Sequence, residues 1–390
     1  MQVKRYVALD SWRGVAALSV VAFHFRTTAG FDGVAIFNGM YMFVDFFFVL
    51  SGFVIYSSYG AKLRNGYGIL RFMWLRVGRV YPLHIAILVG FIALQMLIVY
   101  PRTGDWFPAP TETWDTILAN IFLIQSLNLY DFLTWNEPSW SISVEFFTYI
   151  LFAVAITGAG RLQWLLCVVV LCVAPAFLFF FNAGKNLDTT ATFGLVRCIY
   201  GFSSGVVAYK LYSHLPRLRG LLEKNPLCGS TTEFVIVMLI VAFIATANTS
   251  PLSLLAPILF GASVIIFAAE AGIFSKLMLC RPLVFLGAIS YSIYMVHMLV
   301  ISWWLELFRA ALFKIGGRKL FETVDHFARS YVFLAERNYP GLALMLLVVV
   351  AVSATTYVFI EKPSREWSRR RPFFERAPGG PTITEATPTR

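Results

Sequence analysis

Leu162–Phe181, LQWLLCVVVLCVAPAFLFFF, runs for 20 residues without one charged side chain. Coiled as a helix at about 1.5 Å per residue, it reaches across the ~30 Å hydrocarbon core of a bilayer. It is apolar on every face, which predicts a membrane span rather than the amphipathic surface helix of a soluble domain. Working outward, similar runs recur at Val15–Phe25, Tyr41–Ser57, Pro82–Tyr100, Val144–Gly158, Phe193–Tyr209, Phe234–Ala247, Leu252–Ala271, Leu283–Leu305 and Leu342–Ile360. The shorter runs, Val15–Phe25 above all, are lengthened by semi-polar turns that carry ionisable residues. Composition agrees: 58% of the chain is hydrophobic and 14% charged, with a mean hydropathy of +0.71. Soluble domains hold roughly 45–50% apolar and about 25% charged residues. The predicted fold class is all-α, a polytopic membrane protein of about ten transmembrane helices.

The net charge of +11 could suggest a nucleic-acid partner, but its distribution argues against one. With the N-terminus cytoplasmic and ten crossings, 21 of the 32 Lys and Arg residues fall on the cytoplasmic side and nine outside. The other two, Arg13 and Arg197, lie within spans. This is the positive-inside rule, and it places both termini in the cytoplasm. The segment near the start is not a cleaved signal peptide, because Asp10, Arg13 and His24 lie inside it and no small-residue cleavage site follows. The expected organisation is a transmembrane domain over 1–362 and a tail over 363–390, basic and then Pro/Gly/Thr-rich, without fixed structure. The outer segment Phe308–Pro340 is too small for a folded catalytic domain, so any chemistry belongs to the bundle. The five cysteines sit in spans or inner loops with no metal-ligand spacing, which implies neither disulfides nor a metal site.

Ionisable side chains inside spans cost several kcal/mol on most scales, so each is a functional candidate. Counting along each run puts His24, Asp45, Glu145 and Arg197 one to two turns below the outer surface, with His297 somewhat deeper. Five groups on five helices share one depth. Residues paired for structure, or snorkelling to headgroups, are the plain alternative for any one of them. A histidine beside carboxylates is also what general-base catalysis needs, since the carboxylate fixes the tautomer and supports the imidazolium.

Arg13 and His24 are 11 residues apart in the sequence, about 20° beyond three full turns. They line one face of the first helix, about 16 Å apart along its axis, with Asp10 close to the same stripe. A cation at the inner end and an imidazole at the outer end suit an elongated ligand with anionic groups inside and its reactive end outside. Acyl-CoA has that shape. Arg71, Arg76 and Arg79 in RFMWLRVGRVYP add inner cations, and the planar guanidinium fork suits phosphate. Positive-inside flanking would also account for most of these charges.

At this point the chain resembles the acyltransferase 3 family of membrane-bound O-acyltransferases. YVALDSWRGVAALSVVAFHF is similar to the family's opening, with its Arg–x10–His motif at Arg13 and His24. VDFFFVLSGFVIY carries Asp45 and Ser51-Gly52-Phe53 and looks like the second-span signature. LRVGRVYPLH resembles the Arg-x-x-Arg-x-x-Pro element, and SWSISVEFFTYILF the Trp-Ser-x-Ser-x-Glu block. Arg197 with Gly201 and Gly205 resembles the sixth-span pattern, and SYSIYMVHMLV the Ser-Tyr-x-x-Tyr-x-x-His segment. Each string alone is weak, but six in order over residues 6–362 are a strong match. The resemblance implies ten helices, a cytoplasmic acyl-CoA donor, an acceptor hydroxyl on the outer side and an essential histidine at His24. Some members carry a further extracytoplasmic hydrolase-like domain. None is expected here, so the chain would complete transfer itself or pass its product to a separate protein.

The expected function is transfer of an acyl group, most simply acetyl, to an extracytoplasmic carbohydrate such as exopolysaccharide or O-antigen, in a bacterial inner membrane. His24 is the expected general base, with Asp45 or Glu145 orienting it; transient acylation of His24 is the variant. Asp10, Arg13, Arg71, Arg76 and Arg79 are the expected donor-binding residues, and Arg197, Ser141, Trp140, Tyr291 and His297 the acceptor-side or supporting ones. Ser51 is expected to lie too deep for a glycan and to pack helices instead. Trp106, Trp114, Trp135 and Trp140 read as an interfacial belt, the last two also as sugar-stacking platforms. No permanently bound cofactor or metal is implied. Expected partners are acyl-CoA (acetyl-CoA foremost), a glycan or lipid-linked glycan, membrane lipids and, as an option, a second copy in a homo-oligomer, with no nucleic acid. A proton-coupled glycan or lipid exporter using Asp45, Glu145 and His24 is the rival. It is disfavoured because transporter sites lie near the bilayer centre within internal repeats, and no repeat is found.

Overall fold

The computed structural model describes residues 5–31, 33–107, 109–159, 162–307 and 338–370. These residues are overwhelmingly helical, with no strand among them. The main helices are α1 (Val7–Phe25), α2 (Phe43–Arg64), α3 (Ile69–Leu94), α4 (Ser139–Ala159), α5 (Gln163–Phe181), α6 (Gly194–His214), α7 (Pro226–Ala247) and α8 (Ala256–Ala268). They are followed by α9 (Ser290–Leu307), α10 (Tyr339–Thr356) and α11 (Lys362–Arg370). Each of the ten apolar runs read from the sequence falls on one of α1 to α10.

Among the described residues, seven helices are long and apolar enough to cross a membrane. An eighth is reached if Arg281–Ala288 and α9, bent by 69°, count as one span. The remaining two of the expected ten, α1 and α6, do not qualify by apolarity. Their surroundings explain why. Both are largely sheathed by other helices, so they carry Asp10, Arg13 and Arg197, together with serines and glycines, where a lipid-facing helix would carry leucine. At the opposite extreme, α5 has few fully buried residues, in keeping with the uninterrupted apolarity of its sequence.

The tightest crossing joins α2 to α6. A methyl group at Gly205 would collide with the Val49 carbonyl, and one at Gly52 with the Phe202 carbonyl, so the two backbones touch where a side chain would stand. Buried aromatics close the space on either side, among them Phe48, Phe53 and Tyr200.

Helical structure continues past the expected boundary at residue 362. A π-type turn at Tyr357–Glu361 leads into α11, which continues to Arg370. Trp74 Nε1 of α3 donates to the Ser368 carbonyl at 3.1 Å, and Gly78 makes room for the Ser368 side chain. Composition alone read this segment as tail because it is highly charged. Contact with α3 is what holds it. Residues 371–390, and nearly all of the expected outer segment, lie outside the described residues.

Candidate active site

Side chains from α1, α2, α3, α4 and α9 line a cavity of about 120 Å³ that is open to its surroundings. At one end stand Arg13, Arg76 and Arg79; along its wall come Ser51, Glu145 and Tyr149; and Ser141, Tyr291 and Tyr294 line it too, among apolar side chains such as Phe47 and Val54. Arg13 is partly matched by Asp10 at 3.7 Å, and Asp10 also takes Arg5 at 3.0 Å. The Arg76 guanidinium lies over the rings of Tyr59 and Phe72 at 5.3 and 5.7 Å, and its Nε is buried without a hydrogen bond. Cationic groups without a full set of internal counter-charges are suited to an anionic ligand. Arg71 stands apart, over the Tyr67 ring at 5.0 Å, and does not line the cavity.

Tyr294 is the wall between this cavity and a second cluster. Its hydroxyl and that of Ser141 are 2.8 Å apart, and both bond to the Pro138 carbonyl, at 3.1 and 3.0 Å. Its ring lies 6.0 Å from that of His297, whose ring is in turn 5.1 Å from His24. His297 is fully buried; its Nδ1 is 3.3 Å from the Ile293 carbonyl, and its Nε2 has no hydrogen-bond partner. His24 keeps 21% of its side-chain surface, and its Nδ1 lies 4.0 Å from Oε2 of Glu137. Glu137 stands just before α4, half exposed. Its surroundings limit its solvation, which pushes its carboxyl above the usual carboxylate range.

The five groups assigned to one depth therefore divide into three places. His24 and His297 meet. Glu145 lines the cavity, where its Oε1 accepts from Tyr149 Oη at 2.6 Å. Asp45 and Arg197 satisfy each other: Nε to Oδ1 is 2.9 Å, Nη2 to Oδ2 is 2.7 Å, and neither side chain keeps more than 1% of its surface. The carboxylate that the structure brings to His24 is Glu137, not the expected Asp45 or Glu145. Depth along a span says nothing about azimuth around it, and only helix packing sets azimuth. Trp140 is also not a free platform. It is buried beneath Arg197, 5.2 Å from the guanidinium, while Trp135 is buried and donates to Thr116. Trp106 and Trp114 remain exposed.

Sequence reasoning passed over Glu137, Tyr149 and Tyr294, and it assigned Ser51 to packing. The signal for Glu137 was its place in WNEPSWSISVE, immediately before a span and at the level of His24. For Ser51 the available signal misled, because Ser51 and Gly52 are adjacent. Gly52 makes the helix contact, while Ser51, about 100° around the helix, faces the cavity.

Comparison with known proteins bears on the chemistry. The acyltransferase domain that defines the acyltransferase 3 family matches residues 6–360. The chain is 26% identical to the acyltransferase MdmB of Streptomyces mycarofaciens over 95% of both chains. It is 25% identical over 93% of its length to YrhL of Bacillus subtilis (strain 168), assigned as a peptidoglycan O-acetyltransferase, and covers 56% of that protein. Protein 2 in the picA locus of Rhizobium radiobacter shares 32% identity over 36% of this chain and 78% of its own. No solved structure matches. A many-helix bundle with Arg13 at the cavity and His24 beside His297, and with a family match over nearly its whole length, is an acyltransferase of the membrane, and the chain belongs to the acyltransferase 3 family.

Proposed function

We propose that this protein moves an acyl group, acetyl in the simplest case, from cytoplasmic acyl-CoA to a hydroxyl of an extracytoplasmic carbohydrate. The observation that carries the reading is the cavity whose one end holds Arg13, Arg76 and Arg79 and whose far wall, Tyr294, adjoins the His24–His297 pair. The arginines receive the phosphates of the donor, and the extended arm lies along the cavity with the thioester toward the histidines. His24 takes the proton of the acceptor hydroxyl as its oxygen attacks the thioester carbonyl. The new C–O bond replaces the C–S bond, and the leaving thiolate takes up a proton. Glu137 orients the imidazole and supports its positive charge. The acceptor arrives from the side on which His24 and Glu137 are exposed. Peptidoglycan, the acceptor named for YrhL, and the secreted polysaccharides are the classes to assay first.

Purified protein in proteoliposomes, given labelled acetyl-CoA on one defined side and glycan on the other, tests the reading directly. Label should reach the glycan only with donor on the face that exposes Lys62. His24→Ala should abolish transfer while the protein stays folded. Transfer supported solely by donor on the opposite face would overturn the proposal.

A further inference from the structure

Ser51, Tyr149 and Glu145 form a hydrogen-bonded row on the cavity wall. Tyr149 Oη donates to Glu145 Oε1 at 2.6 Å, and Ser51 Oγ stands 2.9 Å from Tyr149 Oη. A phenol has one proton, and here it is committed to the carboxylate. The serine proton must then supply the second bond, from Ser51 to Tyr149. That leaves Ser51 Oγ facing the cavity with lone pairs only. It can accept a hydrogen bond from a ligand and has none to give. The row reaches across two helices, so the polarity of Ser51 is imposed by α4. Its α2 neighbours in the lining, Phe47, Phe48, Leu50 and Val54, are apolar, so an N–H group lying against them without a partner would carry a desolvation cost.

We propose that Ser51 is a positioning residue of the donor site, accepting a hydrogen bond from an amide N–H in the flexible arm of the donor thioester. This rests on the acyl-CoA reading above and adds to it a recognition element between the phosphate end and the reacting carbon. The arm of CoA carries two amides in series, and an acceptor-only oxygen on the cavity wall fixes how far the arm slides toward the histidines. Ser51 touches no reacting atom in this role.

The test is a double-mutant cycle read by binding rather than turnover. Full-length protein in detergent is titrated with a non-transferable thioether analogue of acetyl-CoA, and with two versions in which one amide N–H is replaced by an ester oxygen. For the wild type, one ester version should bind more weakly by roughly 2- to 10-fold, the scale of one neutral hydrogen bond. Ser51→Ala should lose a similar factor for the parent analogue and should no longer distinguish it from that ester. Ser51→Thr, which keeps the hydroxyl, should restore the distinction. If the losses from Ser51→Ala and from both ester versions multiply independently, the Ser51 assignment is wrong while the donor site stands. If the wild type shows no saturable binding of the parent analogue, the donor reading itself falls. Stoichiometric release of CoA with an acyl ester on Ser51, seen by mass spectrometry of protein treated with acetyl-CoA, would make Ser51 a nucleophile and also overturn the positioning role.

Discussion

The buried pair Asp45–Arg197 shows how two ionisable residues inside spans satisfy each other. Both carboxylate oxygens face the guanidinium, which also reaches the Thr189 carbonyl at 3.0 Å. Removing one partner strands a charge away from water, at a cost of about 3–5 kcal/mol. Asp45→Asn is therefore expected to deplete folded protein, seen as lost monodisperse material in size-exclusion chromatography. The double replacement Asp45→Leu with Arg197→Met should recover much of it, since both charges leave together. Full yield of a well-folded Asp45→Asn protein with crippled turnover would instead return Asp45 to the catalytic group. Glu137 calls for a different readout. Its carboxyl is raised above the usual range, so it stays protonated until a higher pH than an ordinary glutamate. Support for the His24 imidazolium needs the ionised form. That support should accordingly be present at high pH and fade as pH falls through the raised value. Glu137→Gln should remove this acid limb from the rate–pH profile. Because the pair is 4.0 Å apart and Glu137 is half exposed, the loss in kcat should be modest, roughly fivefold at most. An acid limb unchanged in Glu137→Gln would assign it to another group.

Helices α2 and α6 set the framework on which the cavity wall stands, because α2 presents Gly52 to α6 and Ser51 to the cavity. Substituting Gly205 with valine should separate these helices and lower the unfolding temperature in detergent, whatever donor is present. A substitution at Arg79 should act differently. It lies at a cavity mouth, remote from the histidines, so Arg79→Ala should weaken acyl-CoA binding by about 10- to 150-fold, the range of a charge-assisted hydrogen bond, with a smaller change in kcat. Lysine should rescue it only in part, lacking the planar fork. An unchanged donor affinity in Arg13→Ala, Arg76→Ala and Arg79→Ala alike would reduce these arginines to topology signals. Helix α11 adds a point at this scale. Its packing of Ser368 against Gly78 and Trp74 ties the end of the bundle to the helix that carries Arg76 and Arg79.

At the scale of the whole molecule, the distribution of charge and the placement of the cavity make one joint prediction. Reporters inserted after Lys62 and Leu222 should read cytoplasmic, and one near Gly104 external, which would put the arginine end of the cavity on the donor side. Two reversed readings would invert the molecule, and acyl-CoA would then have to reach the arginines from outside. The helices that fail the apolarity criterion, α1 and α6, are among those that carry the most informative residues, Arg13, His24 and Arg197. The interior of a membrane bundle need not be apolar, because neighbouring helices rather than lipid satisfy its polar groups.

What the amino-acid sequence determined by itself was the membrane class, the helices and their order, the family, and the chemical kinds of residue placed at each end of α1. Those follow from one-dimensional quantities: the length of apolar runs, the count of charges between them, and motif spacing along a helix of known rise. Which ionisable groups meet was decided only in three dimensions. Asp45 and His24 share a depth, yet rotation of α2 about its axis turns Asp45 toward Arg197 and Ser51 toward the cavity. Glu137 reaches His24 from a connecting segment whose path is set by the bonds of Tyr294 and Ser141 to Pro138. Depth is additive along one chain and can be counted, whereas azimuth depends on the packing of helices far apart in sequence, and the site is built from azimuth.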